Sequence, residues 1–236
     1  MVQLHDLMSR RQCLSTLGRA TAAVAAAPLL GGNRADATRP PNVVLILSDD
    51  QGSTDMGCYG AADLYTPALD GLAADGLRFT QFYVNAPACM PSRAALLTGR
   101  HFIRCLAADG LRGDETTIAE MLRGAGYRTA CFGKWHLGHP EPKDPLSQGF
   151  DEFLGFKVGA MDNYSHFFFY GGPDRHVLRR NRAPYREDGV YFPDIVTREA
   201  LRFIDENQSS PFFLYLPLNQ PHYPMQPEER HLARYE

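Results

Sequence analysis

The sequence predicts an α/β fold of three layers, α/β/α, around a mostly parallel central sheet. Three observations carry that reading. Residues 42–48 (NVVLILS) and 212–216 (FFLYL) are short, continuous apolar runs, the pattern of strands buried on both faces rather than of half-exposed strands, which alternate. Between them lie segments whose apolar residues recur at helical spacing. Strand and helix signals alternate along the chain, which implies helices covering both faces of one sheet. In such sheets functional groups collect at the carboxyl ends of the strands.

The elements follow in order. The first strand, 42–48, is preceded by Pro40-Pro41 and ended by Asp49-Asp50-Gln51-Gly52. Thr66-Pro67 opens a helix to residue 75, with Thr66 as N-cap and Pro67 in the first turn, and Gly76 stops it. Residues 77–84 read as a strand. Residues 92–98 suit a helix ended by Gly99. Residues 115–123, with Ile118, Ala119, Met121 and Leu122, suit an amphipathic helix closed by Gly124 and Gly126. Residues 127–132 are a strand, residues 194–207 a helix bearing Ile195, Val196, Ala200, Phe203 and Ile204, and 212–216 the second fully apolar strand. Residues 143–193, rich in Gly, aromatics and Arg without a steady period, read as a long excursion of loops over the sheet, a kind of segment that is often functional.

With 236 residues, 44% hydrophobic and 22% charged, the chain can bury a substantial core, and it is neither a disordered tail nor a disulfide-dense miniprotein. The net charge of −3 argues against nucleic acid as a partner. The N-terminus reads as an address. Arg10-Arg11 precedes a weakly apolar, Ala-rich run from Leu14 to Leu30 that contains Arg19, and Ala35-Asp36-Ala37 fits a small-x-small cleavage site. The whole resembles a bacterial twin-arginine export signal, with Cys13 where that motif usually has Phe. The expected organisation is therefore a cleaved signal over residues 1–37 and a catalytic portion over 38–236, with passage through the twin-arginine export machinery to a periplasmic or secreted location. A membrane anchor is the alternative, disfavoured by Arg19. Cys58, Cys89, Cys105 and Cys131 are widely spaced and form no C-x-x-C metal pattern.

Four constellations fall at predicted strand ends or helix starts. Asp49 and Asp50 are hard oxygen donors suited to Ca2+ or Mg2+, or else a cap or solvated turn. In Cys89-Met90-Pro91-Ser92-Arg93, Pro91 and Ser92 start a helix and place Cys89 just ahead of its N-terminus, where free N–H groups and the helix dipole favour an anion. Arg93 adds a guanidinium fork suited to an oxyanion. A structural cysteine before a capped helix is the plainer alternative. In Gly133-Lys134-Trp135-His136-Leu137-Gly138, Lys134 and His136 are two apart and face one side of an extended chain, where a cation and an imidazole can bind an anion and move a proton. They are otherwise two exposed polar residues at a strand end. His222, in Pro221-His222-Tyr223-Pro224, sits between prolines in a stiff loop after the last strand, a catalytic or a structural histidine.

The string from Cys89 to Arg100 resembles the signature of the type I sulfatases, of the alkaline-phosphatase-like superfamily. The family's other blocks follow in order: Asp49-Asp50, Gly57-Cys58-Tyr59-Gly60, Thr66-Pro67 through Arg78-Phe79-Thr80, Gly133 to Gly138, Gly149-Phe150-Asp151 and Pro221 to Pro224. The resemblance covers nearly all of residues 40–227. It implies a sulfuric ester hydrolase in which a maturation enzyme, the formylglycine-generating enzyme, oxidises Cys89 to Cα-formylglycine. One hydroxyl of the hydrated aldehyde would attack sulfur and release the alcohol. The other would then expel sulfate, which a serine could not do. The resemblance further implies Ca2+, or Mg2+ in its place, on Asp49, Asp50 and the modified residue 89. By the same resemblance Arg93 holds that residue, Lys134 neutralises sulfate oxygens, His136 takes the diol proton and His222 protonates the leaving oxygen. The substrate is a glycan or aryl sulfate ester.

Sulfatases normally continue for about as long again, through a second metal pair and a second sulfate-binding lysine. Calcium takes 6–8 oxygens, and the residues after His222 provide no second pair. The expectation is an N-terminal fragment of a sulfatase with an exposed sheet edge. A phosphatase or phosphonate hydrolase of the same superfamily, and an inactive truncated remnant, are the alternatives.

Overall fold

In a computed structural model, residues 39–172 and 174–235 are described, and Pro40–Glu236 forms one compact unit. The expected export signal, residues 1–37, lies outside the described residues. The elements are β1 (Val43–Asp49), α1 (Pro67–Asp75), α2 (Cys89–Thr98), α3 (Phe102–Cys105), β2 (Leu106–Ala107), β3 (Gly110–Leu111), α4 (Ile118–Gly124), β4 (Arg128–Lys134), β5 (Glu152–Phe156), β6 (Arg179–Arg180), β7 (Ala183–Pro184), α5 (Phe192–Glu206), β8 (Phe212–Pro221) and α6 (Glu229–Leu232). The main sheet runs β1-β8-β4-β5-β6-β7. The first four strands are mutually parallel, and β6 and β7 are added antiparallel at one edge. The α/β architecture with a mostly parallel sheet is thus present.

Its layering follows from the pleat, because successive side chains leave a strand on opposite faces. Ala130, Phe132, Leu154, Phe156, Phe212 and Leu214 enter one core with Phe192, Ile195, Val196, Ala200 and Phe203 of α5. Cys131, Phe153, Phe213 and Tyr215 enter the other, with Ala94 and Leu97 of α2, Ala119 of α4 and Trp135. Both faces of β4, β5 and β8 are therefore covered, which is why the 212–216 stretch of β8 reads as an unbroken apolar run.

Several boundaries differ from the expectation. Residues 77–84 form no strand; Leu77, Phe79, Phe82 and Tyr83 are exposed, with no strand to pair with among the described residues. Helix α2 starts at Cys89, because Pro91 still lies in the first turn, where a missing N–H forfeits no bond. Cys89 is therefore the first helical residue, not one ahead of the helix. Helix α4 begins at Ile118 because Thr117 caps it: the Thr117 hydroxyl accepts from the Glu120 N–H, and the Glu120 carboxylate accepts from the Thr117 N–H. The excursion 143–193 is not all loop, since it contains β5, β6 and β7 and the start of α5. Strand β8 continues to Pro221, five residues beyond its apolar run.

Candidate active site

The carboxyl ends of β1, β4 and β8 and the N-terminus of α2 converge. Asp49, the last residue of β1, is buried. Its Oδ1 accepts from Arg93 Nη2 at 3.0 Å and its Oδ2 from Lys134 Nζ at 2.6 Å. Arg93 and Lys134 are themselves almost completely buried, and Arg93 Nη1 also donates to the carbonyl of Lys134, at 2.9 Å. Burial alone would raise the Asp49 pKa; the charges of Arg93 and Lys134 outweigh it and hold the carboxyl below its ordinary value. Asp49 is thus the hub that joins α2 to β1 and β4.

Lys134 reaches Asp49 because Gly133 lets the strand end turn inward. Gly133 has φ 139°, and a Cβ there would collide with the carbonyl oxygen of Pro217 on β8. Three residues after Gly133, His136 adopts φ 53°, and Asp50 adopts φ 60°, left-handed conformations that non-glycine residues rarely take and that recur at functional sites. Lys134 and His136 do serve one site, but not as neighbours on an extended strand. Lys134 closes β4 and turns to Asp49, while His136, beyond the strand, places Nδ1 3.1 Å from Cys89 Sγ. Burial first, then the charges of Lys134 and Arg93, lower the His136 pKa to about 4, so the ring is neutral at pH 7.

Cys89 is half-buried at the first position of α2, and the preceding Ala88 offers no side-chain cap. The first-turn N–H groups, which have no partner within a helix, are therefore left uncapped by any side chain at the N-cap. The thiols of Cys105 and Cys131 are buried, and burial pushes that of Cys131 far up. Cys58 is half-buried, and all four described cysteines are free. Asp50 is exposed, and its Oδ2 lies 3.7 Å from His222 Nε2. The N–H of His222 donates to the Asp49 carbonyl at 3.0 Å, tying the ends of β1 and β8. His222 Nδ1 lies 2.5 Å from the Tyr223 carbonyl, which can only accept. Nδ1 therefore carries the proton and Nε2 is the nitrogen that faces Asp50. A cavity of about 240 Å3 is lined by Asp49, Asp50, Gln51, Cys89, Ser92 and Arg93. All seven predicted residues thus belong to one constellation.

The donors fit a hard divalent cation in part. Two adjacent carboxylates line one cavity, Asp50 has no partner but His222 among the described residues, and each Asp49 oxygen keeps a lone-pair site beyond the bond it accepts. Calcium asks for 6–8 oxygens, so Asp49 and Asp50 form only part of a shell. The described residues hold one other cluster able to bind a metal, His166, His176 and Asp188, whose ligand atoms lie within 4.8 Å of one another.

Three positioning residues escaped the sequence reading. Gly159 packs against the His136 ring, where a Cβ would come within 3.1 Å of Cε1. Asn163 braces the loop bearing His222: its Oδ1 accepts from Asn219 Nδ2 at 2.8 Å and from Gln220 Nε2 at 3.0 Å, and its Nδ2 donates to the Pro224 carbonyl at 3.3 Å. Tyr215 lies buried beneath Arg93, and burial pushes its hydroxyl pKa far up. Only the polar string Asp162-Asn163-Tyr164-Ser165-His166 within the irregular region signalled any of these.

Comparison with known proteins identifies the family. The family model "Sulfatase" matches residues 41–236. N-acetylgalactosamine-6-sulfatase of Sus scrofa is 37% identical over 224 residues, covering 80% of this chain and 41% of the relative. Arylsulfatase A of Homo sapiens is 40% identical over 213 residues, covering 79% and 42%. Among solved structures, Ps i-CgsB superposes with a TM-score of 0.75 at 34% identity, over 83% of this chain and 48% of that one. A phosphonate monoester hydrolase of Agrobacterium radiobacter, at 24% identity and a TM-score of 0.59, shares the fold. The chain spans about two-fifths of the length of the curated relatives it matches. It belongs to the formylglycine-dependent sulfatase family, within the alkaline-phosphatase-like superfamily.

Proposed function

We propose that the chain is the N-terminal catalytic portion, residues 38–236, of an exported sulfatase that hydrolyses a sulfuric ester to an alcohol and sulfate. The observation that carries the proposal is the placement of Cys89: first residue of α2, 3.1 Å from His136 Nδ1, in the cavity that Asp49 and Asp50 line. Asp49 and Asp50 would hold Ca2+ beside position 89, where a hydrated aldehyde would supply two hydroxyls, one as nucleophile and one to release sulfate, and the metal would favour ionisation of the first. Arg93, fixed by Asp49 and the Lys134 carbonyl, holds the group at position 89. Lys134 has three N–H donors, of which Asp49 takes one, and the others serve sulfate oxygens as charge develops on them. Neutral His136 holds or takes a proton at Nδ1. His222 Nε2, 3.7 Å from Asp50 Oδ2, is the nitrogen placed to pass a proton to the leaving oxygen.

The substrate class is a sulfated glycan in preference to a simple aryl sulfate. Support comes from the N-acetylgalactosamine-6-sulfatases among the relatives and from a structural relative at 31% identity, whose solved complex holds D-glucosamine-2-N,6-O-disulfate. The partners are the formylglycine-generating enzyme and, through residues 1–37, the twin-arginine export machinery, with a periplasmic or secreted destination. The test is turnover of the sulfate and phosphate esters of one phenol by the complete gene product, matured with that enzyme in the presence of Ca2+. The proposal expects faster sulfate cleavage, abolished by Cys89→Ala. Faster phosphate cleavage would instead assign a phosphohydrolase, and an inert product an inactive remnant.

A further inference from the structure

A cavity of about 430 Å3, within the range of small-molecule sites, lies behind His136 rather than at Cys89. Val158 lines it while the adjacent Gly159 abuts the His136 ring, and His139, three residues after His136, forms part of its wall. Its charges do not balance. Arg182 pairs with Glu141 at 2.7 Å and with Asp144 at 3.3 Å, and Asp144 also accepts from the N–H groups of Leu146 and Ser147. Both wall carboxylates are thereby engaged. Lys157, Arg175 and Arg179 have no carboxylate partner among the described residues. Among the described residues Lys157 Nζ donates to the His139 carbonyl at 3.4 Å and lies 6.0 Å from the centre of the Phe153 ring, and the Arg175 guanidinium lies 4.7 Å from the centre of the Phe168 ring.

Strand β6 explains Arg179. Arg180 turns to one face and makes a two-pronged pair with Glu199 of α5, at 2.7 and 3.0 Å. Arg179 must then leave the strand on the other face, in register with Gly155 of β5. Burial first, then Lys157, Arg175 and Arg179, lower the His139 pKa, as expected of an imidazole among unneutralised cations. In a chain of net charge −3, three cations held around one cavity form a focused positive field, and arginine forks match sulfate and carboxylate oxygens.

We propose that this cavity is a subsite for a second anionic group, a sulfate or a carboxylate, carried by an oligosaccharide on a position other than the ester that is cleaved. Calling the oligosaccharide a substrate rests on the sulfatase reading; the binding itself does not. The experiment is calorimetric titration of the full chain, without metal or maturation, with a multiply sulfated neutral oligosaccharide, its desulfated form and an unsulfated uronate oligosaccharide. Lys157→Gln with Arg179→Gln is compared with a charge-matched control, Arg104→Gln with Arg123→Gln. The expected result is binding of at least one anionic probe over the desulfated one, weakened about tenfold or more in the first double variant and unchanged in the control. Preference for the sulfated or the uronate probe identifies which anion the site takes. If the double variant does not fold, Arg175→Gln, stacked on Phe168, must show the same weakening. Equal affinity for all three probes, or equal weakening by the control, overturns the subsite. Failure of the sulfatase reading would show separately, as an unmodified thiol at position 89.

Discussion

The two sides of β8 are built differently. Toward β4 and β5 the sheet is sealed: nearly every residue of β4 and β5 is buried, and Phe150 stacks on Phe213 and Tyr215 within 6.2 Å. Toward β1 it is open: Val44 and Ile46 remain 48% and 56% exposed, and Leu72, Leu77 and Phe82 are more exposed still. The candidate site straddles this divide. Lys134, Arg93 and Asp49 are locked together as buried charges, whereas Asp50 and His222 stand at the open side. Charge positioning thus belongs to the core, while the groups proposed to hold a metal and to serve the leaving oxygen ride on the more accessible edge. Substitutions on the sealed side should therefore cost stability first, and those on the open side should cost ligand binding first.

The largest effect is expected at the hub. Asp49→Ala leaves two buried cations without a counter-charge and should lower stability by about 3–5 kcal/mol, read as a reduced urea midpoint; a loss below about 1 kcal/mol would break the contrast. Gly133→Ala, forced against Pro217 in a left-handed backbone, should cost about 2–3 kcal/mol in the same measurement. A smaller effect comes from pH. Burial lowers the pKa of His166 below its ordinary 6.5, although the Val190 carbonyl works the other way. Above that value the native and unfolded rings are both neutral and His166 contributes nothing. As pH falls below 6.5 the unfolded chain takes up the proton first, so stability declines. His166→Gln, which can still donate to Val190, should flatten the melting temperature between pH 7 and pH 5. The smallest stability change is expected at Asp50→Asn, within about 0.5 kcal/mol. If Ca2+ binds as proposed, it raises the melting temperature of the parent and that variant loses the rise; an undiminished rise would place the cation elsewhere.

Much of the fold was legible because its central strands are buried on both faces. The runs at 42–48 and 212–216 and the periodicity of α5 needed no tertiary information, although β1, expected to be buried on both faces, leaves Val44 and Ile46 exposed on one. What failed was pairing. Residues 77–84 have strand composition, but β-propensity measures fit to a pleated surface and does not supply a partner. Strand β5 was hidden by Gly155, which reads as loop chemistry yet is glycine because the Gly133 carbonyl approaches too closely for any Cβ. In the candidate site the residue types were legible from their order along the chain. Their partners were not: the Asp49–Lys134 contact spans 85 positions and the Asn163–Asn219 brace 56, and no local pattern encodes either.

The account turns on the identity of residue 89 after maturation. The most direct measurement is the mass of the peptide containing Cys89, isolated after co-expression with the formylglycine-generating enzyme. The predicted result is loss of the sulfur with gain of an aldehyde that a hydrazine probe captures. An intact thiol there, in a protein that still hydrolyses sulfate esters, would contradict the account.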